Sequence, residues 1–265
     1  MLSLAALLLA NVAAAAGPPS GPLTRCAPDA VISGTACIDK YEASVWRVPD
    51  ATTTNRALVL RIQAGRATAD ALVAAGATQL GMRPPDDYAP CADSGQNCAN
   101  DIFAVSLPDV TPSSSITWFQ AQAACQNARK RLPSNAEWQA AATGTPDPGP
   151  DDGATDCNTH SAFKAVPTGS RSGCVSSAGA FDMVGNLYEW VADWMPRATA
   201  CGTWSPGSSP TGDDQCLAGA ETTGEPAALL RGGDFNDGAL AGPLAILGSN
   251  PPSGSNFVVG FRCVR

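Results

Sequence analysis

Hydrophobic positions along the chain fall into short clusters separated by stretches rich in proline and glycine, and each cluster has its own period. In Ala36-Cys37-Ile38-Asp39-Lys40-Tyr41-Glu42-Ala43 the apolar and polar positions alternate, which predicts an early strand. Thr68 to Ala75 reads as a short Ala-rich helix stopped at Gly76 or Gly81. From Thr117 to Lys130, residues Trp118, Ala121, Ala124, Cys125 and Ala128 recur at helical spacing and put an aromatic ring and a cysteine on one buried face. Pro133 breaks this helix. Ser134 followed by Glu137 forms a capping box, so a second helix is expected through Trp138 and Ala142 to Gly144, with Glu137 as cap rather than catalyst. Residues 83–115, 145–178 and 195–228 carry closely spaced Pro, Gly and Asp and read as irregular loops, and Val258 to Val264 reads as the last strand. Trp118, Trp138, Trp190 and Trp194 are expected in the core. This order of elements predicts an α+β, loop-rich fold rather than a parallel βαβ sheet.

Composition narrows the function. The chain has 265 residues, 44% apolar and 15% charged, with 26 Gly and 22 Pro, enough for a real core but few long helices. A net charge of −8 repels phosphate backbones and anionic lipid, so no nucleic-acid partner is expected. His160, the single histidine, excludes HExxH zinc sites and reads as a surface loop residue. No G-x-S-x-G, P-loop or G-x-G-x-x-G is present. The 10 cysteines are even in number and contain no CxxC, which predicts five disulfides and an oxidising compartment. Leu2 to Ala16 is an apolar run interrupted only by Ser3 and Asn11, too short to span a bilayer and ending in small residues. Residues 1–16 are therefore expected to be a signal peptide and 17–25 a short linker. The mature chain is expected to carry no membrane span and to be exported to the periplasm, the cell surface or the medium.

Three ordered blocks resemble the formylglycine-generating-enzyme, or sulfatase-modifying factor, superfamily. They are Ile116-Thr117-Trp118 through Lys130-Arg131-Leu132-Pro133-Ser134-Asn135-Ala136-Glu137-Trp138, then Gly179 through Trp190, then Arg231-Gly232-Gly233 with Gly260-Phe261-Arg262-Cys263. The resemblance implies a C-type-lectin-like fold over residues 26–265 as one domain, with an insertion near 50–110. It also implies a disulfide from the first of the paired helices to the terminal strand, Cys125–Cys263, leaving Cys26–Cys37, Cys91–Cys98, Cys157–Cys174 and Cys201–Cys216. Enzymes of the superfamily bind copper through two cysteines just after Arg-Gly-Gly; the matching positions here are Asp237 and Gly242, so no copper is expected. Asp182, Gly185, Leu187 and Glu189 match a calcium site of the superfamily, and calcium is the cofactor this implies; the alternative is a capped turn that packs Trp190. Lys164 stands where a second calcium site has a carboxylate. Arg231 and Arg262 are candidates to pair with buried carboxylates such as Asp193 or Glu189.

The run Arg231-Gly232-Gly233-Asp234-Phe235-Asn236-Asp237-Gly238, continuing through Ala241-Gly242-Pro243 and Pro251-Pro252-Ser253, resembles the variable region of diversity-generating-retroelement variable proteins, spanning 231–265. In that family, randomised adenines turn Asn codons into many residues on a binding face. The candidate diversified positions are Asp234, Phe235, Asn236, Asp237, Leu240, Leu247, Ser249, Asn250, Gly254, Asn256, Phe257 and Val258. Changing the first two bases of an Asn codon cannot yield Lys, Glu, Gln, Met or Trp, and the tail from Arg231 to Arg265 has none of these. The resemblance implies a non-catalytic protein binding a protein or cell-surface ligand through this face, with Phe235, Leu240, Leu247, Phe257 and Val258 exposed as an apolar patch. Of Val258 and Val259, alternation places one inside. The alternatives are a fixed sulfatase-modifying-factor-like binding or scaffold module, or an oxidase acting on a sulfatase cysteine.

Overall fold

The computed structural model describes residues 24–82, 88–98, 101–147, 149–204 and 212–265; the expected signal peptide and all but the end of the linker lie outside them. In chain order the elements are β1 (Ala30–Ser33), β2 (Ala36–Asp39), β3 (Ala43–Arg47), α1 (Arg56–Gln63), α2 (Ala69–Ala74), β4 (Thr78–Leu80), β5 (Ile102–Ser106), α3 (Trp118–Asn127) and α4 (Asn135–Ala142). There follow β6 (Tyr188–Met195), β7 (Ala200–Trp204), β8 (Asp213–Ala218), β9 (Ala227–Arg231), a single 3-10 turn at Gly238–Leu240, β10 (Ile246–Asn250) and β11 (Val259–Phe261). The fold is α+β, loop-rich and tied by disulfides, as the sequence predicts.

The expected capping box of α4 forms, and α3 carries a second. Thr117 accepts from the Gln120 amide while Gln120 reaches back to the Thr117 amide, and Ser134 and Glu137 do the same for α4. Ala121, Ala124 and Cys125 make the buried face of α3. Thr68 caps α2, whose bounds match the Ala-rich helix read from the sequence. The helix α1 has no counterpart in the sequence reading; Leu58 and Ile62, four residues apart, form its buried face.

Two irregular regions of the sequence reading prove regular. Residues 83–115 hold β5, every residue of which is buried. It pairs with β3 in a three-stranded sheet ordered β4-β3-β5. Ile102 and Ala104 face the main core while Phe103 and Val105 face a second core, with Trp46, Leu58, Ile62 and Leu72. A strand covered on both faces reads as a continuous apolar run without alternation, which is why it was masked among prolines. Residues 195–228 likewise hold the β7–β8 hairpin, stapled by Cys201–Cys216. Trp194 is not core: it lies 43% exposed, edge-on to Trp118 and Phe119 at ring distances of 5.1 and 5.7 Å. It sits where β6 runs beyond the cover of its neighbours and its outer residues Ala192 to Trp194 face outward.

The main sheet has the order β11-β6-β9-β10-β8-β7, with β11 parallel to β6 and β10 parallel to β8. The chain's end closes the fold. After β11, Arg265 exchanges backbone hydrogen bonds with Cys37 of β2, and Val264 does so with Arg131 between α3 and α4. The five disulfides are Cys26–Cys37, Cys91–Cys98, Cys125–Cys263, Cys157–Cys174 and Cys201–Cys216, the pairs that the resemblance implies. They account for all 10 cysteines. Among the described residues no helix is long and apolar enough to cross a membrane.

Cys125–Cys263 spans 138 residues and Cys91–Cys98 only 7. Chain-entropy arguments assign about 5 kcal/mol to the long loop and about 2 kcal/mol to the short one. Urea unfolding of the paired Cys→Ala variants is expected to show the larger loss for Cys125 and Cys263; equal losses would contradict this ranking.

Candidate functional site

The candidate face is made by two connections of the main sheet, β9 to β10 and β10 to β11. The first begins at Gly232 and Gly233, whose φ values of 93° and 82° few side chains adopt. A Cβ on Gly233 would also lie 2.5 Å from Cα of Ala241, so the loop closes on itself there. Within it the Asp237 carboxylate accepts from the Asp234 amide at 3.0 Å, and Asp234 accepts from the Asn236 amide at 2.7 Å. The second connection rests on the start of α3: Ser115 donates to the Asn256 carbonyl and Trp118 to the Pro252 carbonyl, each at 3.0 Å.

Asn236, Leu240, Asn256 and Phe257 are exposed, and Asp237, Leu247, Ser249, Asn250, Gly254 and Val258 are half-buried. Asp234 and Phe235 are not exposed, and the sequence reading of them is corrected. Asp234 is turned inward to hold the turn, and Phe235, 3% exposed, packs under Phe257 with ring centroids 6.1 Å apart. Leu247 and Val258 pack partly onto the main core, and Val259 is the inward partner of its pair. Ser249, Asn250, Gly254 and Asn256 line one depression of about 240 Å³, with Arg197 at its wall and Trp190 at its base. Phe235 and Phe257 line a second of about 530 Å³. The short step from Asn256 to Phe257 joins the two.

Beneath the face lies a set of acids. Burial, then Asp237, pushes the Asp234 carboxyl up to about 7. Burial, with Asp147 nearby, pushes Asp213 up to about 6. The Tyr188 hydroxyl is raised as well, first by burial and then by Asp237. At the positions matching the enzymes' copper cysteines, Asp237 is engaged in the turn and Gly242 has no room for a side chain. A Cβ on Gly242 would collide with the Asp213 carboxylate, which accepts from the Leu244 amide. With every cysteine in a disulfide, these residues do not fit a soft copper(I) centre.

The calcium quartet is arranged for another task. Glu189 takes Arg262 Nη2 at 2.6 Å and Nε at 2.7 Å, and Trp138 Nε1 at 2.7 Å, so both carboxylate oxygens are occupied. Asp182 accepts from the Gly169 amide. The Gly185 amide donates to Gly232, and the Leu187 amide to Glu42. With both Glu189 oxygens engaged by Arg262 and Trp138, that carboxylate is not open to a hard cation, and the quartet as arranged does not fit calcium. The capped-turn alternative describes it better. Glu189 was thus correctly paired with Arg262, whereas Arg231 forms no ion pair among the described residues: it stacks on Trp138 at 4.6 Å and donates to the carbonyls of Pro243, Leu244 and Ala245 and to Gln139. Asp193 instead accepts from the Asn135 amide at the start of α4. Glu137 is a cap, and its bidentate pairing with Arg131 holds its carboxyl down to about 2. His160 is exposed.

Two outcomes follow. Arg262→Met leaves Glu189 buried without its partner and is expected to cost about 3–5 kcal/mol in urea unfolding, where a loss below about 1 kcal/mol would refute the pairing as a fold determinant. In the folded chain Asp234 keeps its proton up to about pH 7, whereas its ordinary value is 3.8. Its contribution to stability is therefore undiminished below about pH 4 and falls away as the pH rises towards 7. Asp234→Asn, which keeps an acceptor for the Asn236 amide, is expected to raise Tm at about pH 8 and leave it unchanged at about pH 4; an equal shift at both would refute the assignment.

Residues 88–265 match the family described as sulfatase-modifying factor enzyme 1-like domain. A curated relative, serine/threonine-protein kinase Pkn1 of Chlamydia trachomatis, is 30% identical over 160 residues, which cover 58% of this chain and 24% of that protein. The Chlamydia caviae protein of the same name is 28% identical over 156 residues, again 58% and 24%. The chain thus spans about a quarter of the length of these relatives. Among solved structures, PvdO from Pseudomonas aeruginosa aligns over 94% of this chain and 89% of its own, with 19% identity and a TM-score of 0.45. The Major Tropism Determinant I1 variant aligns over 65% and 47%, with 19% identity and a TM-score of 0.41. By the match over residues 88–265, this chain belongs to the sulfatase-modifying factor enzyme 1-like family.

Proposed function

We propose that this chain is an exported, non-catalytic ligand-binding protein whose C-terminal face is diversified by a retroelement to recognise varying ligands. The observation that carries the reading is the convergence of candidate positions from two separate connections. Ser249, Asn250, Gly254 and Asn256 meet in one depression, Phe257 stands over the next, and Asn236 and Leu240 are exposed on the neighbouring turn. The residues between them are buried and structural: Gly233, Gly242, Arg231 and Gly260 hold the backbone. A surface that varies in side chain on an invariant backbone meets the need of a receptor that changes ligand without unfolding. The five disulfides suit an oxidising compartment and so support export. The mismatch of Asp237 and Gly242 with a copper pair supports a non-catalytic role.

The reading is tested at the gene. Isolates are expected to differ at the codons for Asn236, Leu240, Ser249, Asn250, Asn256 and Phe257, and the locus is expected to hold a near-copy of the segment for Arg231 to Arg265 that differs mainly at adenines. Identical isolates without such a copy would leave a fixed binding module. At the protein level, Leu240→Ser and Asn256→Tyr are expected to move Tm by no more than about 2 °C, as surface changes do. Gly260→Ala, whose Cβ would lie 2.7 Å from Leu187 Cδ1 and 2.9 Å from the Ser113 carbonyl, is expected to lower Tm by several times that.

A further inference from the structure

Most of the larger depression is built by residues outside the tail, which supplies only Phe235 and Phe257. Its walls are Met82, Pro112, Phe163, Lys164 and Pro167, facing Phe257, with Phe235 as floor. Phe163 is 63% exposed, Phe257 54% and Met82 45%, so three large apolar side chains that would ordinarily be covered open into one space of about 530 Å³. Phe163 also has a φ of 51°, a left-handed backbone that a bulky side chain adopts only at a cost. The surrounding chain enforces it. The Asp151 carboxylate accepts from the amides of Thr159, His160 and Ser161 at 2.8, 2.7 and 3.0 Å. Asn158 donates to the Lys164 carbonyl at 2.9 Å, and Asn186, itself bound to buried Glu42, accepts from the Val166 amide at 2.8 Å. Cys157–Cys174 anchors the loop's start. The Thr159 carbonyl in turn accepts from Gly238 of the diversified connection at 2.8 Å, which fixes the two walls relative to each other.

Charge selects what the groove holds. Lys130 is buried between Asp29 and Asp39, and Lys40 lies over the rings of Tyr41 and Phe181. Lys164 is exposed in the groove wall and forms no ion pair among the described residues. In a chain of net charge −8, it is the one charged side chain lining the groove among the described residues, a positive point beside apolar walls. A polyanion would be repelled by the rest of the surface, whereas one carboxylate next to an apolar side chain matches both features.

We infer that the groove between Phe163, Lys164 and Phe257 is an anchor, fixed on the Phe163–Lys164 side, for a peptide segment of the partner protein that presents an aromatic or aliphatic side chain next to an Asp or Glu. This rests on the ligand-binding reading above and refines it: the diversified tail selects among partners, while the wall outside the tail holds a feature common to all of them. The rigid loop lowers the ordering cost of binding, and partly exposed aromatic and methionine side chains supply the contact area.

The test pans a random-peptide phage library on the intact protein and, in parallel, on Lys164→Gln and Phe163→Ala, both surface changes whose folding is checked by Tm. Peptides enriched on the parent are expected to carry an apolar residue beside Asp or Glu. A synthetic copy is expected to bind about five-fold more weakly to Lys164→Gln, as for an exposed ion pair, and about 30-fold more weakly to Phe163→Ala, as for a hot spot. Its acid-to-amide analogue is expected to bind parent and Lys164→Gln alike. Peptides that are insensitive to both substitutions yet lost on Asn250→Ala or Leu240→Ala overturn the anchor and leave the diversified face standing. Peptides insensitive to all four overturn both readings. No enrichment on the parent, or a groove filled by dodecanoate in preference to every enriched peptide, also overturns the anchor.

Discussion

The buried ion pair between Arg262 and Glu189 is the constraint on which the remaining architecture depends. Arg262 lies on the segment after β11 and Glu189 on β6, and their side chains are 0% and 1% exposed. Removing two charges from water is expensive, and the pair is tolerable only because nearly every remaining polar atom is satisfied. Arg262 donates onward to the carbonyls of Asp39, Phe181 and Asp182, and Glu189 accepts from Trp138. One guanidinium therefore joins the main sheet, the N-terminal hairpin, the turn before β6 and helix α4. The register of β11 on β6, and with it the height at which the 251–258 loop stands, follows from this pairing.

The same economy governs the other buried charges of an acidic chain. Lys130 sits between Asp29 and Asp39 at 2.7 and 2.6 Å, and Arg265 reaches Asp29 at 2.8 Å, so the last residue is tied to the first hairpin by charge as well as by backbone. Glu42, fully buried, is pushed well up by burial and by Asp182 and Glu189, and its hydrogen bonds go to Asn186 and the Leu187 amide. Asn186 then supports the loop that carries Phe163 and Lys164. The core and the proposed anchor thus share a single polar network.

A binding face that changes would need a frame that does not, and burial separates the candidate positions into two such sets. Positions whose side chains complete the backbone, such as Asp234 in its turn and Phe235 beneath Phe257, belong to the frame even though they lie within the segment proposed to be diversified. Leu240 and Phe257 have no such duty and belong to the proposed face; Asn256 is exposed there too, although its side-chain oxygen accepts from the Val258 amide at 3.4 Å.

Local chemistry made much of this legible from the sequence. The capping box at Ser134, the helical spacing of α3 and the even cysteine count were all read from neighbouring residues, because a cap or a helical face is settled within a few positions along the chain. The resemblance added the disulfide pairing, whose longest member closes 138 residues. What needed the tertiary structure were the features decided by residues distant in sequence. The strand β5 exists because α1 and α2 cover one side and the main core the other. Glu189 became an ion-pair partner rather than a metal ligand because Arg262 arrives 73 positions later. The wall of Phe163 and Lys164 gained a role only when folding set Phe257 opposite it. Sequence determines short-range conformation through sterics and local hydrogen bonds; which face is covered, which charge finds a partner and which groove stays open are set by packing across the fold.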